Sequence, residues 1–553
     1  MSDYFAPINQ PAYWLSQAGM KQVRGWMGQK RICPACGREH AVHTRMMEQT
    51  PDMALHIGRY LSALGLRGRC VVVMDENTRQ AAGLSLMEGL GVYRPRAVVF
   101  SRPDLHADEQ ALGTLLTELS DRPDFIVSCG SGTLTDITRY NSFMTGIPFV
   151  SYATAASVDG FASGSTPLLV KGFKTTYPGV APEGIFYDPA VLAAAPQKMT
   201  AAGFGDVLAK VIALIDWRLA YVAEDEPFCP LIAAMVDRAV KDCLALANDL
   251  AAFNPAGGLA GGSTRLASAV DYVAAHGERS AVVLSATAEG AVPAASAPLV
   301  RRVQIGENGV TVQPAADDEG VLQQQPDLES RKTEAERMAL KGDACVRLME
   351  TLSLTGVAMQ MMQTSRPASG SDHQISHLLE MRDIQQHRQG SLHGDKVGIG
   401  TLIGMHMYLK LFEGRKMPEQ RPTMPADLWR EEVRRVYGPL ADHALAINPS
   451  EPPHGDVWDR QKERLEQAME SYGYDVVDSF KTLLPEARDK IAAMGGPTRP
   501  DHLGYSVQDT FDAIAFGKEN RPKFTTLRLA ERYGWLYDLA DEIARGLPEG
   551  TIY

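Results

Sequence analysis

The chain has 553 residues, of which 45% are hydrophobic and 22% are charged, values typical of globular proteins. Its net charge of −12 argues against binding nucleic acid or an anionic membrane through bulk electrostatics. No apolar run approaches the roughly 20 residues of a membrane span, and the N-terminal residues lack a signal-peptide pattern. The seven scattered cysteines indicate reduced thiols, so we expect a cytoplasmic protein.

In the first part of the chain, short apolar runs alternate with helical patterns. These runs predict strands at 69–75, 97–100, 124–128 and 148–152. Strands that alternate with helices are typical of a parallel sheet covered by helices on both faces. We therefore predict an α/β domain over residues 1–195.

From about residue 200, the pattern changes to long segments with helical periodicity. The predicted helices cover 206–222, 232–252, 334–363, 396–412, 426–437 and 457–483. Residues 196–553 are therefore predicted to form a mostly helical domain, with an insertion at about 255–330. Ligands of open α/β sheets bind at the carboxyl ends of the strands, so we expect the active site in the cleft between the two domains.

A glycine turn, Cys129-Gly-Ser-Gly-Thr-Leu-Thr-Asp136, follows the third predicted strand and opens a helix. Glycines let a backbone approach a phosphate closely, and a helix N-terminus supplies free N–H groups. The spacing is not G-x-G-x-x-G, and an ordinary strand-to-helix turn explains the motif equally well. Asp75, which ends the first predicted strand, suits the ribose hydroxyls of a nucleotide, or else caps a helix.

Two aspartates occur among small residues in the next segments. Asp159 lies in a stretch of small and hydroxyl residues after the fourth predicted strand, which suits either a ligand-lining loop or an ordinary polar loop. Asp206 follows Gly203-Phe-Gly, and we predict that it starts a helix. Lys210 would then lie one turn further along the same helix face.

Three histidines complete a candidate metal site. His373 and His377 are four residues apart, so a helix would place both on one face. His393 is predicted to lie in a loop before an apolar helix. An aspartate and histidines from separate segments suit a divalent metal, although a lone helix histidine is more often structural.

A further group of candidate ligands lies near the N-terminus: Cys33, Cys36, His40 and His43. Two cysteines and two histidines could hold a structural zinc ion. Their spacing is shorter than in ordinary zinc fingers, and a strand followed by a turn also explains the segment. Both interpretations stay open from the sequence alone.

Taken together, these motifs resemble the glycerol-1-phosphate dehydrogenase family, in the group that also includes glycerol dehydrogenases, iron-type alcohol dehydrogenases and dehydroquinate synthase. The resemblance extends from Cys36 to Thr526 and leaves out most of 255–330. Its most specific segments are GSGTLTDITRY, TAASVDGFAS, AAGFGDVLAK, SRPASGSDHQISHLLEM and HGDKVGIG. It implies a dehydroquinate synthase-like fold, with a Rossmann-like dinucleotide-binding α/β domain and a mostly α-helical, metal-binding C-terminal domain.

The resemblance also implies a role for individual residues. The implied metal ligands are Asp206, His373 and His393, and the implied catalytic contacts with substrate are Asp159, Asp206 and His377. The implied contacts with a nicotinamide cofactor are Asp75, Gly130, Gly132, Thr133, Leu134, Thr135, Asp136, Thr154, Ala155, Ala156, Ser157 and Ser163.

The activity implied by the resemblance is the reversible, NAD- or NADP-linked reduction of dihydroxyacetone phosphate to sn-glycerol 1-phosphate. It would require one divalent metal ion: zinc, nickel or iron. The expected partner is a small phosphorylated ketone or polyol, and we hypothesise a homodimer. The candidate cations for the phosphate are Lys171, Lys174, Lys210 and Arg366.

Three positions distinguish this chain from relatives in the group. Lys210 stands where iron-type alcohol dehydrogenases have a histidine ligand, and Asp206 stands where dehydroquinate synthase has a glutamate. Arg139 replaces the lysine usual in the archaeal branch and resembles the bacterial one. Two alternatives remain: a related polyol or sugar-phosphate dehydrogenase or cyclase, and a non-catalytic descendant. The retained ligand set argues against the second.

Overall fold

The computed structural model describes residues 23–254, 303–306, 309–312, 328–388, 390–449 and 454–552. Most of the predicted insertion at about 255–330 lies outside the described residues. Among the helices that are described, none is both long enough and apolar enough to span a membrane.

The N-terminal part is built on a sheet of six parallel strands in the order β3-β10-β7-β6-β4-β5. Three antiparallel hairpins, β1–β2, β8–β9 and β11–β12, lie outside this sheet. The strands are β1 Gln29–Ile32, β2 Glu39–Val42, β3 Met46–Gln49, β4 Cys70–Asp75, β5 Arg96–Phe100, β6 Phe125–Gly130, β7 Phe149–Ala153, β8 Ser165–Val170, β9 Phe173–Pro178, β10 Gly184–Tyr187, β11 Val303–Gly306 and β12 Gly309–Val312.

Helices cover the sheet and form nearly all of the C-terminal part. Those longer than one turn are α1 Met53–Ala63, α2 Leu84–Gly89, α3 Glu109–Glu118, α4 Gly132–Thr145, α5 Pro189–Ala194, α6 Gln197–Leu208, α7 Lys210–Glu224, α8 Pro230–Ala251, α9 Leu328–Met362, α10 Ser371–Gln385, α11 His393–Leu411, α12 Ala426–Tyr437, α13 Ala441–Ile447, α14 Asp456–Ala468, α15 Tyr474–Ala493, α16 Val507–Phe516, α17 Thr526–Arg532 and α18 Leu536–Glu549. The predicted fold class is therefore confirmed.

The central strands are apolar on both faces because helices cover both. In β4, Val72 and Met74 pack into one core, and Val71 and Val73 pack into another on the opposite face. Successive side chains of a strand point to opposite faces, so a continuous apolar run is what a doubly covered strand requires. The carboxyl ends of β6 and β7 then carry the chain into the segments that line the cleft.

The position of Asp206 differs from the sequence prediction. The segment 206–222 is divided between α6 and α7, which meet at Ala209, so Asp206 lies in the last turn of α6 and does not start a helix. Gly203, three residues before Asp206, does not interrupt α6. A Cβ on Gly203 would lie 2.0 Å from the carbonyl oxygen of Ala156, so glycine serves close packing there and not a turn.

Two other boundaries also differ from the prediction. His393, predicted in a loop, is the first residue of α11. The helix predicted at 457–483 is divided into α14 and α15 by a π-helical turn, Met469–Gly473. A π turn is a single wide turn inside an otherwise α-helical backbone, so the helical patterns on its two sides predict one helix from the sequence alone.

Candidate active site

A cleft lies between the α/β part and helices α10 and α11. From the α/β side it is lined by the start of α4, the loop after β7 and the β8–β9 hairpin. From the helical side it is lined by α10 and the first residue of α11. The predicted residues that line it are Gly132, Thr133, Asp136, Ser157, Asp159, Ser163, Lys174, His373, His377 and His393.

The three predicted metal ligands meet at the base of this cleft. One ligand atom from each of Asp206, His373 and His393 lies within 4.8 Å of the other two. The side chain of Asp206 is fully buried, and those of the two histidines are largely enclosed. Two imidazole nitrogens and a carboxylate oxygen around one point are a donor set that fits a divalent transition metal.

Both histidines are held by carboxylates that sequence reasoning missed. The carboxylate of Asp372 accepts a hydrogen bond from Nδ1 of His373, and Oε1 of Glu380 accepts one from Nδ1 of His393 at 2.8 Å. In each ring Nε2 is therefore the nitrogen left for a metal. Metal-binding histidines commonly have such a carboxylate partner, which fixes the tautomer and the ring orientation.

A second set of donors overlaps the first. His377, Glu380 and His393 also bring one ligand atom each to within 4.8 Å of one another. Glu380 is already engaged on both sides, because its Oε2 accepts from Nζ of Lys174 at 2.5 Å. The oxygens of Asp206 also accept hydrogen bonds, from Lys210 Nζ at 2.6 Å and from the Asp159 N–H at 2.8 Å, so these contacts do not decide between the two sets and the Asp206 set stays a prediction.

Lys210, which stands where iron-type alcohol dehydrogenases have a histidine ligand, forms ion pairs with two aspartates. Its buried Nζ lies 2.6 Å from Oδ1 of Asp206 and 2.8 Å from Oδ2 of Asp159. Burial would raise the pKa of Asp206, but Lys210 and the two histidines outweigh it and hold that pKa at about 2. Burial and the nearby Asp206 charge raise the pKa of Asp159 to about 6. Lys210 thus balances two buried carboxylates and does not itself line the cleft.

His377 completes the base of the cleft. Its ring centroid lies 5.9 Å from those of His373 and His393. Its Nδ1 is buried and has no hydrogen-bond partner among the described residues. Burial, together with the positive charges of Arg521 and Lys174, holds the pKa of His377 well below its usual value, so the imidazole is neutral near pH 7. A neutral ring with an unused nitrogen is suited to bind a ligand hydroxyl.

The glycine turn after β6 presents the start of α4 to the cleft. Ser131 precedes this helix without a side-chain cap, so the first N–H groups of α4 are available to an anion. The buried Arg139 pairs with Asp136 and donates to Phe161 O at 3.2 Å, which ties α4 to the turn after Asp159. Burial raises the pKa of Asp136 to about 6, with Arg139 opposing it.

The remaining predicted cofactor residues do not line this cleft. Gly130, Leu134, Thr135, Thr154, Ala155 and Ala156 are buried beneath its wall. Asp75 caps the helical turn after β4, where its Oδ1 accepts from the Thr78 N–H at 2.7 Å. The capping alternative for Asp75 is thus observed, and its contact with a ribose stays a prediction.

The structure also locates the cations near the cleft. Lys174 lines the cleft and forms an ion pair with Glu380. Lys171 is exposed. Arg366 forms an ion pair with Glu226 and does not line the cleft. Sequence reasoning missed Arg521, which lines the cleft and donates to Thr176 Oγ1 at 2.7 Å. Among the described residues, no carboxylate lies within 4.0 Å of its guanidinium. The available signal was its place in Arg521-Pro-Lys, close to Thr526, where the family resemblance ends.

Known proteins with similar sequences identify the family. A family profile described as iron-containing alcohol dehydrogenase matches residues 49–196. A relative from Geobacillus stearothermophilus, named glycerol-1-phosphate dehydrogenase [NAD(P)+], is 30% identical over 446 residues, which is 80% of each chain. The chain belongs to the glycerol-1-phosphate dehydrogenase family. The predicted family, and with it the prediction of an oxidoreductase, is therefore confirmed.

Two further comparisons lie at lower identity. A glycerol-1-phosphate dehydrogenase [NAD(P)+] from Bacillus licheniformis is 26% identical over 472 residues, covering 85% of this chain and 84% of the relative. A glycerol dehydrogenase structure from Schizosaccharomyces pombe has a TM-score of 0.45 and 14% identity, with 92% of this chain and 91% of that one covered. The family assignment rests on the sequence relatives.

Proposed function

We propose that this family member catalyses the reversible, NAD(P)H-linked reduction of dihydroxyacetone phosphate to sn-glycerol 1-phosphate. The observation that carries the proposal is one cleft that brings together the Asp206, His373 and His393 donors, the open start of α4 and the guanidinium of Arg521, which has no ion-pair partner among the described residues. These features suit, respectively, a metal, the pyrophosphate of a dinucleotide and a substrate phosphate.

The cofactors would supply the reactive chemistry at this cleft. A divalent metal held by Asp206, His373 and His393 would polarise the substrate carbonyl as a Lewis acid. A nicotinamide would supply the hydride. The chain itself would orient the substrate, exclude water and move the proton.

Arg521 supports a phosphorylated substrate. A partly buried guanidinium with no carboxylate partner among the described residues leaves donors free for an anion. Lys174 is on the same side of the cleft, but its charge is balanced by Glu380. An unphosphorylated substrate would leave Arg521 with only the more distant charge of Glu380 to balance it in a half-buried site, which is energetically unfavourable.

His377 is the residue we assign to proton transfer. As a neutral imidazole it can accept a proton at one nitrogen while it donates from the other, so it can relay a proton to a substrate oxygen. Asp159 would contact a substrate hydroxyl from the opposite wall, where Lys210 fixes its carboxylate. The enclosing β8–β9 hairpin and α10 would limit access of water.

The test is steady-state kinetics with purified, metal-replete protein. We expect NADH oxidation with dihydroxyacetone phosphate and little with dihydroxyacetone. In the reverse direction, we expect oxidation of sn-glycerol 1-phosphate and not of sn-glycerol 3-phosphate. Equal rates with the unphosphorylated ketone would favour a polyol dehydrogenase instead, and turnover with none of these substrates would overturn the proposal.

Three variants test the assigned roles. Asp206→Ala and His393→Ala should lose both the metal and turnover. His377→Ala should keep the metal and lose rate, and loss of the metal in this variant would make His377 a ligand. His56→Ala is the matched control, because His56 is an exposed histidine on α1 and should leave both properties unchanged.

A further inference from the structure

Four metal-binding side chains converge at a second place, and none of them lines the cleft. Cys33 and Cys36 lie in the turn between β1 and β2, and His40 lies in β2. Cys229 comes from the other part of the chain, immediately before α8. One ligand atom from each of the four lies within 4.8 Å of the others. His43, a candidate from the sequence, is not in this cluster and is exposed.

The sulfur–sulfur distance matches that between ligands of a tetrahedral zinc ion, and the sulfur–nitrogen distance is about 0.3 Å shorter than the ideal. Sγ of Cys33 and Sγ of Cys229 are 3.7 Å apart, and Sγ of Cys36 and Nε2 of His40 are 3.2 Å apart. Zinc–sulfur bonds of about 2.3 Å and zinc–nitrogen bonds of about 2.0 Å place tetrahedral ligands about 3.5 to 3.8 Å apart. A disulfide needs sulfurs about 2.05 Å apart, so the 3.7 Å pair is not one.

Neighbouring groups leave His40 and Cys33 in the form that binds a cation. Nδ1 of His40 lies 2.8 Å from the carbonyl oxygen of Met361, to which it can only donate, so Nε2 is left facing the cysteines. Backbone N–H groups of Ala35 and Cys36 are directed at the sulfur of Cys33. Such N–H groups stabilise a thiolate, which is the form that binds metal.

The turn that carries the first two cysteines has a closed backbone. The Cys33 N–H donates to the carbonyl oxygen of Arg38 at 2.7 Å, and the Gly37 N–H donates to that of Cys33 at 2.9 Å. Gly37 has a φ of +69°, a conformation that favours glycine and reverses the chain after Cys36. Both cysteines are therefore aimed at the same point.

We propose that Cys33, Cys36, His40 and Cys229 bind a structural zinc ion, distinct from the metal of the cleft. Three cysteines and one histidine satisfy all four positions, which is the pattern of a structural site and not of a catalytic one. Cys33, His40 and Cys229 are buried, so the site is closed to substrate. The proposal does not depend on the activity of the cleft.

The zinc ion would fasten the N-terminal hairpin to the helical part. All four residues of β1 are exposed, and Ile32 is 67% exposed, so β1 adds little apolar burial of its own. β2 already packs against the rest of the chain, and a metal that joins the hairpin to the start of α8 would add a second attachment.

The experiment measures metal content and a cobalt spectrum on the full-length protein. After dialysis against EDTA, which should remove the metal of the more accessible cleft, we expect one zinc ion per chain to remain. Replacement of that zinc by cobalt should give an intense near-ultraviolet sulfur-to-cobalt charge-transfer band. The cleft has only nitrogen and oxygen ligands and cannot give this band, so the two sites are distinguished.

Substitutions test the assigned ligands. Cys229→Ser should lose the retained zinc and the cobalt band, whereas Cys243→Ser should keep both, because Cys243 is a buried cysteine of the same helix outside the cluster. His43→Ala should also keep both. Wild-type protein without the cobalt band, or with a Cys33–Cys229 disulfide found by mass spectrometry, would overturn the proposal even if Cys229→Ser fails to fold.

Discussion

Replacement of Glu380 by glutamine should weaken metal binding without removing a metal ligand. Oε1 of Glu380 accepts from Nδ1 of His393 at 2.8 Å, and Oε2 accepts from Lys174 at 2.5 Å. Lys174 and His393 outweigh burial and hold the pKa of Glu380 well below its usual value, so it is charged at neutral pH. Glu380→Gln keeps the shape of the side chain but removes its charge. Of the two terminal atoms of the glutamine, only the amide oxygen can accept a hydrogen bond.

The size of the effect follows from the role of the hydrogen bond. Loss of such a partner to a metal-binding histidine typically weakens metal affinity by about 10- to 100-fold, which is roughly 1.4 to 2.7 kcal/mol. The Kd is measured by titrating zinc into metal-free protein in competition with a chromophoric chelator. We expect the kcat of the metal-saturated variant to fall much less than its metal affinity, because the three ligands are intact.

The control for Glu380→Gln is Lys174→Met, which removes the other partner of the carboxylate and leaves the hydrogen bond to His393 in place. Its metal Kd should stay within a few-fold of wild type. An unchanged Kd in Glu380→Gln would refute the supporting role of this carboxylate. Complete loss of metal would instead show that Glu380 is itself a ligand, in the alternative set with His377 and His393.

Arg521→Met should raise the KM for dihydroxyacetone phosphate by about 10- to 150-fold, which corresponds to the loss of a charge-assisted hydrogen bond. Any slow rate with dihydroxyacetone should stay unchanged. An unchanged KM for dihydroxyacetone phosphate would show that Arg521 does not bind the phosphate. Gly394→Ala should lower the melting temperature, because the added Cβ would lie 1.9 Å from the carbonyl oxygen of Ala202. Gly398→Ala is the control and should be tolerated, because its Cβ would lie no closer than 3.4 Å to any neighbouring atom. In the buried ion network around Glu519, Lys518 and Arg528 outweigh burial and hold the pKa of that carboxyl at about 2, below its usual 4.5. Because its pKa is lower in the folded state, Glu519 contributes roughly 3 kcal/mol to the free energy of unfolding above pH 4.5. This contribution is lost as the pH falls from 4.5 through about 2. Urea unfolding between these pH values should show a steeper loss of stability in wild type than in Glu519→Gln.

Four of the six strands of the sheet, β4 to β7, could be predicted because burial on both faces leaves an apolar run. The predicted runs at 69–75 and 124–128 differ from β4 and β6 by one or two residues at the ends. The β8–β9 hairpin was not predicted, because most of its residues are only partly buried and give no such run. β10 is buried throughout but has only four residues, and it was not predicted either.

The site was harder to predict than the fold wherever a role depends on tertiary contact. The donors Asp206, His373 and His393 lie in recognisable motifs, but the assignment of Asp206 to a helix start was wrong. Arg521 and its partner Thr176 are 345 residues apart, and Cys33 and Cys229 are 196 residues apart. No spacing rule connects residues so distant, so these contacts could be found only in the folded chain.

The charges of the cleft explain how an acidic chain could select an anionic substrate. The chain carries a net charge of −12, yet the carboxylates at the base of the cleft are each matched by a cation or an imidazole. Lys210 balances Asp159 and Asp206, and Lys174 balances Glu380, so neither lysine adds net positive charge. Arg521 then remains as the positive charge in the lining without a carboxylate partner among the described residues. Substrate phosphate selectivity should therefore depend on this one arginine more than on the lysines that surround it.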